Sequence, residues 1–142
     1  KELQTSTGMA MIFITHDLGI VANLCDRVAV MYAGRIVEVA TVEDLFSRPS
    51  HPYTRSLLAC IPDLAESVAE LATIEGSPPS VIDLPPGCAF APRCPLAHDH
   101  CREAYPDRVD LTEGHWARCW VSDSIHSAYS DTQSDTYEGG SQ

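Results

Sequence analysis

Four cysteines, Cys88, Cys94, Cys101 and Cys119, fall within one proline-rich stretch, GCAFAPRCPLAHDHCREAYPDRVDLTEGHWARCW. Thiolates are soft ligands that bind zinc or iron-sulfur clusters. The gaps between them hold five, six and seventeen residues. Structural zinc commonly uses tight pairs separated by about two to four residues, because a short knuckle wraps one small ion. No such pair is present in this stretch. Wider gaps suit a bulkier cluster but do not match the common ferredoxin spacings. Spacing leaves cluster and zinc both open, with disulfides as a third reading that needs an oxidising compartment. His98, His100 and His115 could complete a mixed zinc site, although four thiolates need no help. Arg93, Arg102 and Arg118 each adjoin a cysteine, where they would either offset thiolate charge or simply be solvated. Trp116 and Trp120 are expected to cover the site, and Cys25 and Cys60, with apolar neighbours, read as ordinary buried thiols.

A second chemical candidate is His16, in Thr15-His16-Asp17, directly after the apolar run Met9–Ile14. The run reads as a buried parallel strand, and Leu18, Val21, Ala22 and Cys25 follow at helical spacing. That places His16 at a strand-to-helix turn, where open α/β sheets bind ligands. Position alone is weak support for a ligand role, since such a histidine often just bonds to backbone.

The elements around these residues follow from local chemistry. Lys1 to Gln4 reads as the end of a helix closed near Gly8. Val28–Tyr32 and Arg35–Val39 are β-rich and joined by Ala33-Gly34, a hairpin signal. Thr41 can cap a helix through Phe46, with Asp44 placed for a return contact. Two prolines in Arg48-Pro49-Ser50-His51-Pro52-Tyr53-Thr54 break the chain, and Pro52 suits the first turn of a helix that runs through Leu57, Leu58 and Ile61 and stops at Pro62. Another helix is expected over Leu64–Leu71. From Glu75 onward prolines puncture every element, so this part needs a staple to offset the entropy of ordering. A metal site would serve structurally there, as metal binding supplies folding free energy in small domains.

The 142 residues carry 20 acidic against 9 basic side chains, a net charge of −11. That balance excludes nucleic acid as a partner, because phosphate neutralisation needs clustered Lys and Arg. The apolar runs fall short of the ~20 residues of a membrane-spanning helix. Residues 122–142 hold four acids and no Lys or Arg, and read as a disordered tail. The start at Lys1, without methionine and as if inside a helix, points to a fragment.

The string FITHDLGIVANLCDRVAVMYAGRIVE closely resembles the part of ABC-transporter ATPases that begins at their switch histidine. The motif Ser50-His51-Pro52-Tyr53-Thr54-Arg55, after AGRIVE and EDLFSRP, is similar to the C-terminal extension of the ATP-binding subunits of oligopeptide and dipeptide (peptide/nickel) importers. The resemblance covers Lys1 to about Val121. It implies an α/β fold: the C-terminal part of a P-loop ABC ATPase core over residues 1–48, then a loop-rich, cysteine-containing extension over 49–121, then the tail 122–142. By resemblance His16 is the catalytic and ATP-contacting residue, with ATP and Mg as cofactors of the intact subunit. Resemblance also selects a 4Fe-4S cluster over zinc on Cys88, Cys94, Cys101 and Cys119. The implied partners are transmembrane permease subunits, a second ATPase subunit as homo- or heterodimer, and indirectly an extracytoplasmic peptide-binding protein. The implied location is the cytoplasmic face of the cell membrane, as a peripheral protein. The implied function is coupling of ATP hydrolysis to peptide import, with no separation of dipeptide, oligopeptide or nickel. The 142 residues lack a GxxxxGK[ST] loop, so this chain alone is expected to be inactive. The rival reading is a free-standing, non-enzymatic iron-sulfur or zinc module, and a third is a disulfide-stapled secreted domain.

Overall fold

The computed structural model describes residues 1–61 and 74–134. Helix α1 (Glu2–Thr7) closes on Gly8, whose φ of 67° is the left-handed cap that glycine adopts without a Cβ clash. Asp17 caps α2 (Leu18–Leu24), its carboxylate accepting the Ile20 N–H at 3.1 Å. Strands β1 (Arg27–Tyr32) and β2 (Arg35–Thr41) form an antiparallel hairpin. Its turn has positive φ at both Ala33 (48°) and Gly34 (78°), the backbone twist that two-residue hairpins require. The Thr41 hydroxyl accepts the Asp44 N–H at 3.1 Å and donates to the Asp44 carboxylate at 3.0 Å, starting α3 (Val42–Ser47). The return contact expected of Asp44 therefore reaches the cap's hydroxyl.

Helix α4 (Pro52–Ala59) begins at Pro52, which has no N–H to leave orphaned in the first turn. It ends at Ala59, short of the expected Ile61. The expected helix Leu64–Leu71 lies outside the described residues, as does Pro62. A loop carries the chain to a short 3₁₀ turn (Ala91–Arg93), then α5 (Asp99–Glu103) and a second hairpin of β3 (Val109–Thr112) and β4 (His115–Ala117). The sheet order is β1-β2-β4-β3, antiparallel throughout, with Glu38 opposite Ala117 and Val39 opposite Trp116. One sheet thus crosses the boundary expected at residue 48. The fold is mixed α/β with a small antiparallel sheet.

Two expectations are corrected. Met9–Ile14 forms no strand, and Ile12 and Ile14 are 93% and 98% exposed. A parallel strand needs neighbours to satisfy its backbone, and no described strand pairs with this run. The stretch read as a disordered tail opens with α6 (Ser122–Ser134). Ser122, Ile125 and His126 are buried on one face at helical spacing, and that contact offsets the polar composition. Residues 135–142 lie outside the described residues.

The core joins both halves: Val30, Tyr32, Val37, Ala40 and Leu45 pack with Ala89 and Phe90. Phe90 stands edge-on to Tyr32 (centroids 5.3 Å) and Tyr53 (5.4 Å), anchoring the cysteine loop to the β1–β2 hairpin. No described helix is long and apolar enough to cross a membrane.

Candidate functional site

The cysteine loop is built on one close backbone approach. A Cβ at Gly87 would lie 2.3 Å from the Cys101 carbonyl oxygen and 2.6 Å from the Arg102 carbonyl carbon. Glycine alone allows the two segments to meet there, and the next residue, Cys88, donates its N–H to the Cys101 carbonyl at 2.8 Å. Cys94 ends the 3₁₀ turn, Cys101 is buried in α5, and Cys119 is buried just after β4. Nearby backbone, at Phe90 and Ala91 for Cys88, Leu96 for Cys94 and Val121 for Cys119, favours the thiolate form. Burial pushes all three thiols up, Cys119 to about 12, and the neighbouring thiols act in the same sense. There is no disulfide among the described residues. Nor, among them, does any group of three or more His, Cys, Asp or Glu stand at the spacing that would hold a metal ion. The four thiols lie within each other's fields without converging on one ion-sized point.

Two of the three arginines that adjoin the cysteines, Arg93 and Arg118, are engaged elsewhere. Arg93 reaches away, donating to the Glu75 and Ile74 carbonyls at 2.8 and 2.7 Å and to the Tyr32 hydroxyl at 3.2 Å. Arg118 lies near the rings of Tyr105 and Trp116. Both seek donors' partners or aromatic faces, which outcompete a neutral thiol for a guanidinium. Trp116 is consequently not a cover for the cysteines, whereas Trp120, beside Cys119, packs on His100 with centroids 4.3 Å apart. His115 is committed to Glu38.

That commitment belongs to a buried polar network around the Ser50-His51-Pro52-Tyr53-Thr54 motif. Glu38, fully buried in β2, accepts the Ser50 N–H at 2.8 Å and the His51 N–H at 2.9 Å, and its Oε1 takes the His115 Nε2–H at 2.8 Å. Three donors on one carboxylate satisfy it without solvent. His51 caps α4, its Nδ1 accepting the Tyr53 N–H at 3.0 Å. Desolvation drives its pKa down to about 4, against the opposing pull of Glu38 and the Arg118 carbonyl. The Ser50 hydroxyl meets His126 Nδ1 at 3.1 Å, fastening α6. Among the described residues His51 Nε2, Thr54 Oγ1 and His115 Nδ1 are enclosed without a hydrogen-bond partner. The structural role expected of His51 is what its geometry gives. Glu38 is the residue that sequence reasoning missed, since an acid in an exposed-looking strand pattern betrays nothing of distant donors.

His16 is exposed just before α2, but the strand expected ahead of it is irregular chain, so the strand-to-helix turn expected there is not formed.

The profile of the oligopeptide/dipeptide transporter C-terminal region matches residues 37–101. The chain is 47% identical over 123 residues to the dipeptide transport ATP-binding protein DppD of Bacillus subtilis, covering 87% of this chain and 37% of that protein. It is 50% identical over 125 residues to the probable peptide ABC transporter ATP-binding protein y4tR of Sinorhizobium fredii, with 87% and 37% covered. It is 46% identical over 122 residues to the oligopeptide transport ATP-binding protein OppD of Haemophilus influenzae, with 86% and 38% covered. Residues 37–101 thus carry the oligopeptide/dipeptide transporter C-terminal region, and most of the chain is similar to peptide ABC transporter ATP-binding proteins. The chain spans a little over a third of the length of these relatives. The matched window holds Glu38, the Ser50–Thr54 motif, Cys88, Cys94 and Cys101. Cys119, His115 and His126, which close the cysteine group and the buried network, lie beyond it.

Proposed function

We propose that this chain is the C-terminal portion of an ATPase subunit that couples ATP hydrolysis to peptide import across the cytoplasmic membrane. The observation that carries the reading is the match over residues 37–101, whose central motif is the one the Glu38 network folds around. In the intact subunit ATP binds with Mg, and His16, exposed at the start of α2, contacts its terminal phosphate. An imidazole there would stabilise charge on the transferring group and orient the attacking water, the tasks on which phosphoryl transfer depends. Permease subunits, a second ATPase subunit and an extracytoplasmic peptide-binding protein complete the transporter, with this subunit peripheral on the cytoplasmic face. His16→Ala in the intact subunit is expected to lower kcat about a hundredfold with nucleotide affinity kept, the scale of removing one transition-state donor. Unchanged turnover would overturn the assignment of His16. The 142-residue chain alone is expected to hydrolyse no ATP.

The four cysteines are assigned a 4Fe-4S cluster with a structural role. Support comes from the grouping of Cys88, Cys94, Cys101 and Cys119, whose thiols influence one another. When bound, the cluster would cross-link the loop after Gly87, α5 and the end of β4. Anaerobically purified protein should contain iron and acid-labile sulfide in equal amounts. Zinc without sulfide would replace the cluster by a zinc site.

A further inference from the structure

On the sheet surface where β2 lies beside β4, an open groove of about 500 Å³ is lined by Arg35, Ile36, Tyr105, Trp116 and Arg118. That volume lies within the range of small-molecule sites. The Arg35 guanidinium lies 4.2 Å from the Tyr105 ring centre, and that of Arg118 lies 5.9 Å from Tyr105 and 6.0 Å from Trp116. Arg108 stands at the rim, 4.9 Å from the Trp116 ring centre, and is already paired with Asp110.

The charge arrangement sets this groove apart. Acids outnumber bases 20 to 9 in the chain, so an arginine would find a carboxylate easily. Among the described residues neither Arg35 nor Arg118 is in an ion pair, and the one protein acceptor recorded for Arg118 is the Pro106 carbonyl, at 3.5 Å. Aromatic contact engages the face of a guanidinium and leaves its donors in the plane, ready for a carboxylate or phosphate. Ile36 and Trp116 supply apolar surface beside those donors, and every aromatic ring has a face that can stack there.

We propose that this groove binds a small organic anion bearing a flat ring. Arg35 and Arg118 take its carboxylate or phosphate, and its ring lies against Trp116 and Ile36. Two sources supply that chemistry: a mononucleotide, and a short peptide whose C-terminal residue is aromatic. The groove is open, so one side of the ligand stays in solvent and binding is weak.

The test titrates the 142-residue chain with AMP and, separately, with the dipeptide Ala-Phe, following the Trp116 indole N–H resonance. At least one probe should give a saturable shift with Kd below about 1 mM, weakened by salt. Arg35→Gln, at an exposed position, should weaken that binding about tenfold, the worth of one charge-assisted contact, while the spectrum elsewhere is retained. Binding of AMP alone, or of the dipeptide alone, supports the site and identifies its source. Absence of any shift by about 10 mM of either probe overturns the proposal. So does unchanged affinity in both Arg35→Gln and Arg118→Gln, or inorganic phosphate binding as tightly as AMP.

Discussion

Replacing Glu38 by glutamine keeps the shape of the side chain and removes half of its capacity to accept. The carboxylate serves Ser50 N–H and His115 Nε2 on one oxygen and His51 N–H on the other. An amide has a single oxygen, so at best it keeps the first pair and turns its own N–H₂ toward the His51 N–H. The loss is then one charge-assisted hydrogen bond, about 1.5–3 kcal/mol, plus an orphaned buried donor costing about 1–3 kcal/mol. The expected destabilisation is about 3–5 kcal/mol, a large share of the ~5–15 kcal/mol that holds an ordinary domain. Urea titration followed by circular dichroism and tryptophan fluorescence should show the midpoint falling by about 2 M, given a slope of about 1–3 kcal/mol per M. His115→Phe should cost less when made in the Glu38→Gln background than alone, because the two changes break a shared contact. A midpoint shift below about 0.5 M would refute the claim that Glu38 organises the motif.

Gly87→Ala should force apart the backbone near Cys101, destabilise by about 1–3 kcal/mol and speed the reaction of Cys88 with thiol reagents, as measured by labelling kinetics. Labelling at the wild-type rate would count against the close approach. Stability should also fall in acid. His51 titrates near 4 in the fold and near 6.5 when unfolded, so the unfolded state binds more protons between those values. Its contribution of about 3 kcal/mol is full above pH 6.5 and is lost as pH drops toward 4. His126 is depressed by burial and by His115, and acts in the same direction. His51→Asn, which preserves a capping oxygen for Tyr53, should flatten that part of the pH profile; an unchanged slope would assign it to other groups.

What was readable in the sequence was local. Ala33-Gly34, Thr41, Pro52 and Gly8 act through their own backbone preferences, and each does in the fold what its residue type dictates. Gly114, at φ 77°, marks the turn of the β3–β4 hairpin, but its strands are too short for periodicity to register. In α6 the spacing Ser122, Ile125, His126, Tyr129 was present, yet the surrounding polar composition hid it. Met9–Ile14 shows the opposite failure, an apolar run whose strand character depends on partners that its own residues cannot supply. At the candidate sites, spacing grouped the four cysteines, but only folding showed that Arg93, Arg118, Trp116 and His115 serve other neighbours.

The seam between the two hairpins is short. Six residue pairs register β1 with β2, whereas only Glu38–Ala117 and Val39–Trp116 join β2 to β4. A ladder of that length is a fracture line, and what bridges it is the side-chain chemistry of Glu38, His115, Ser50 and His126. Two further bonds cross it, from Arg118 N–H to the Val37 carbonyl at 2.8 Å and from the Arg27 guanidinium to the Gly114 carbonyl at 2.9 Å. With so short a ladder, the hold of β3, β4 and α6 on the first hairpin depends on the buried Glu38 network more than on strand pairing.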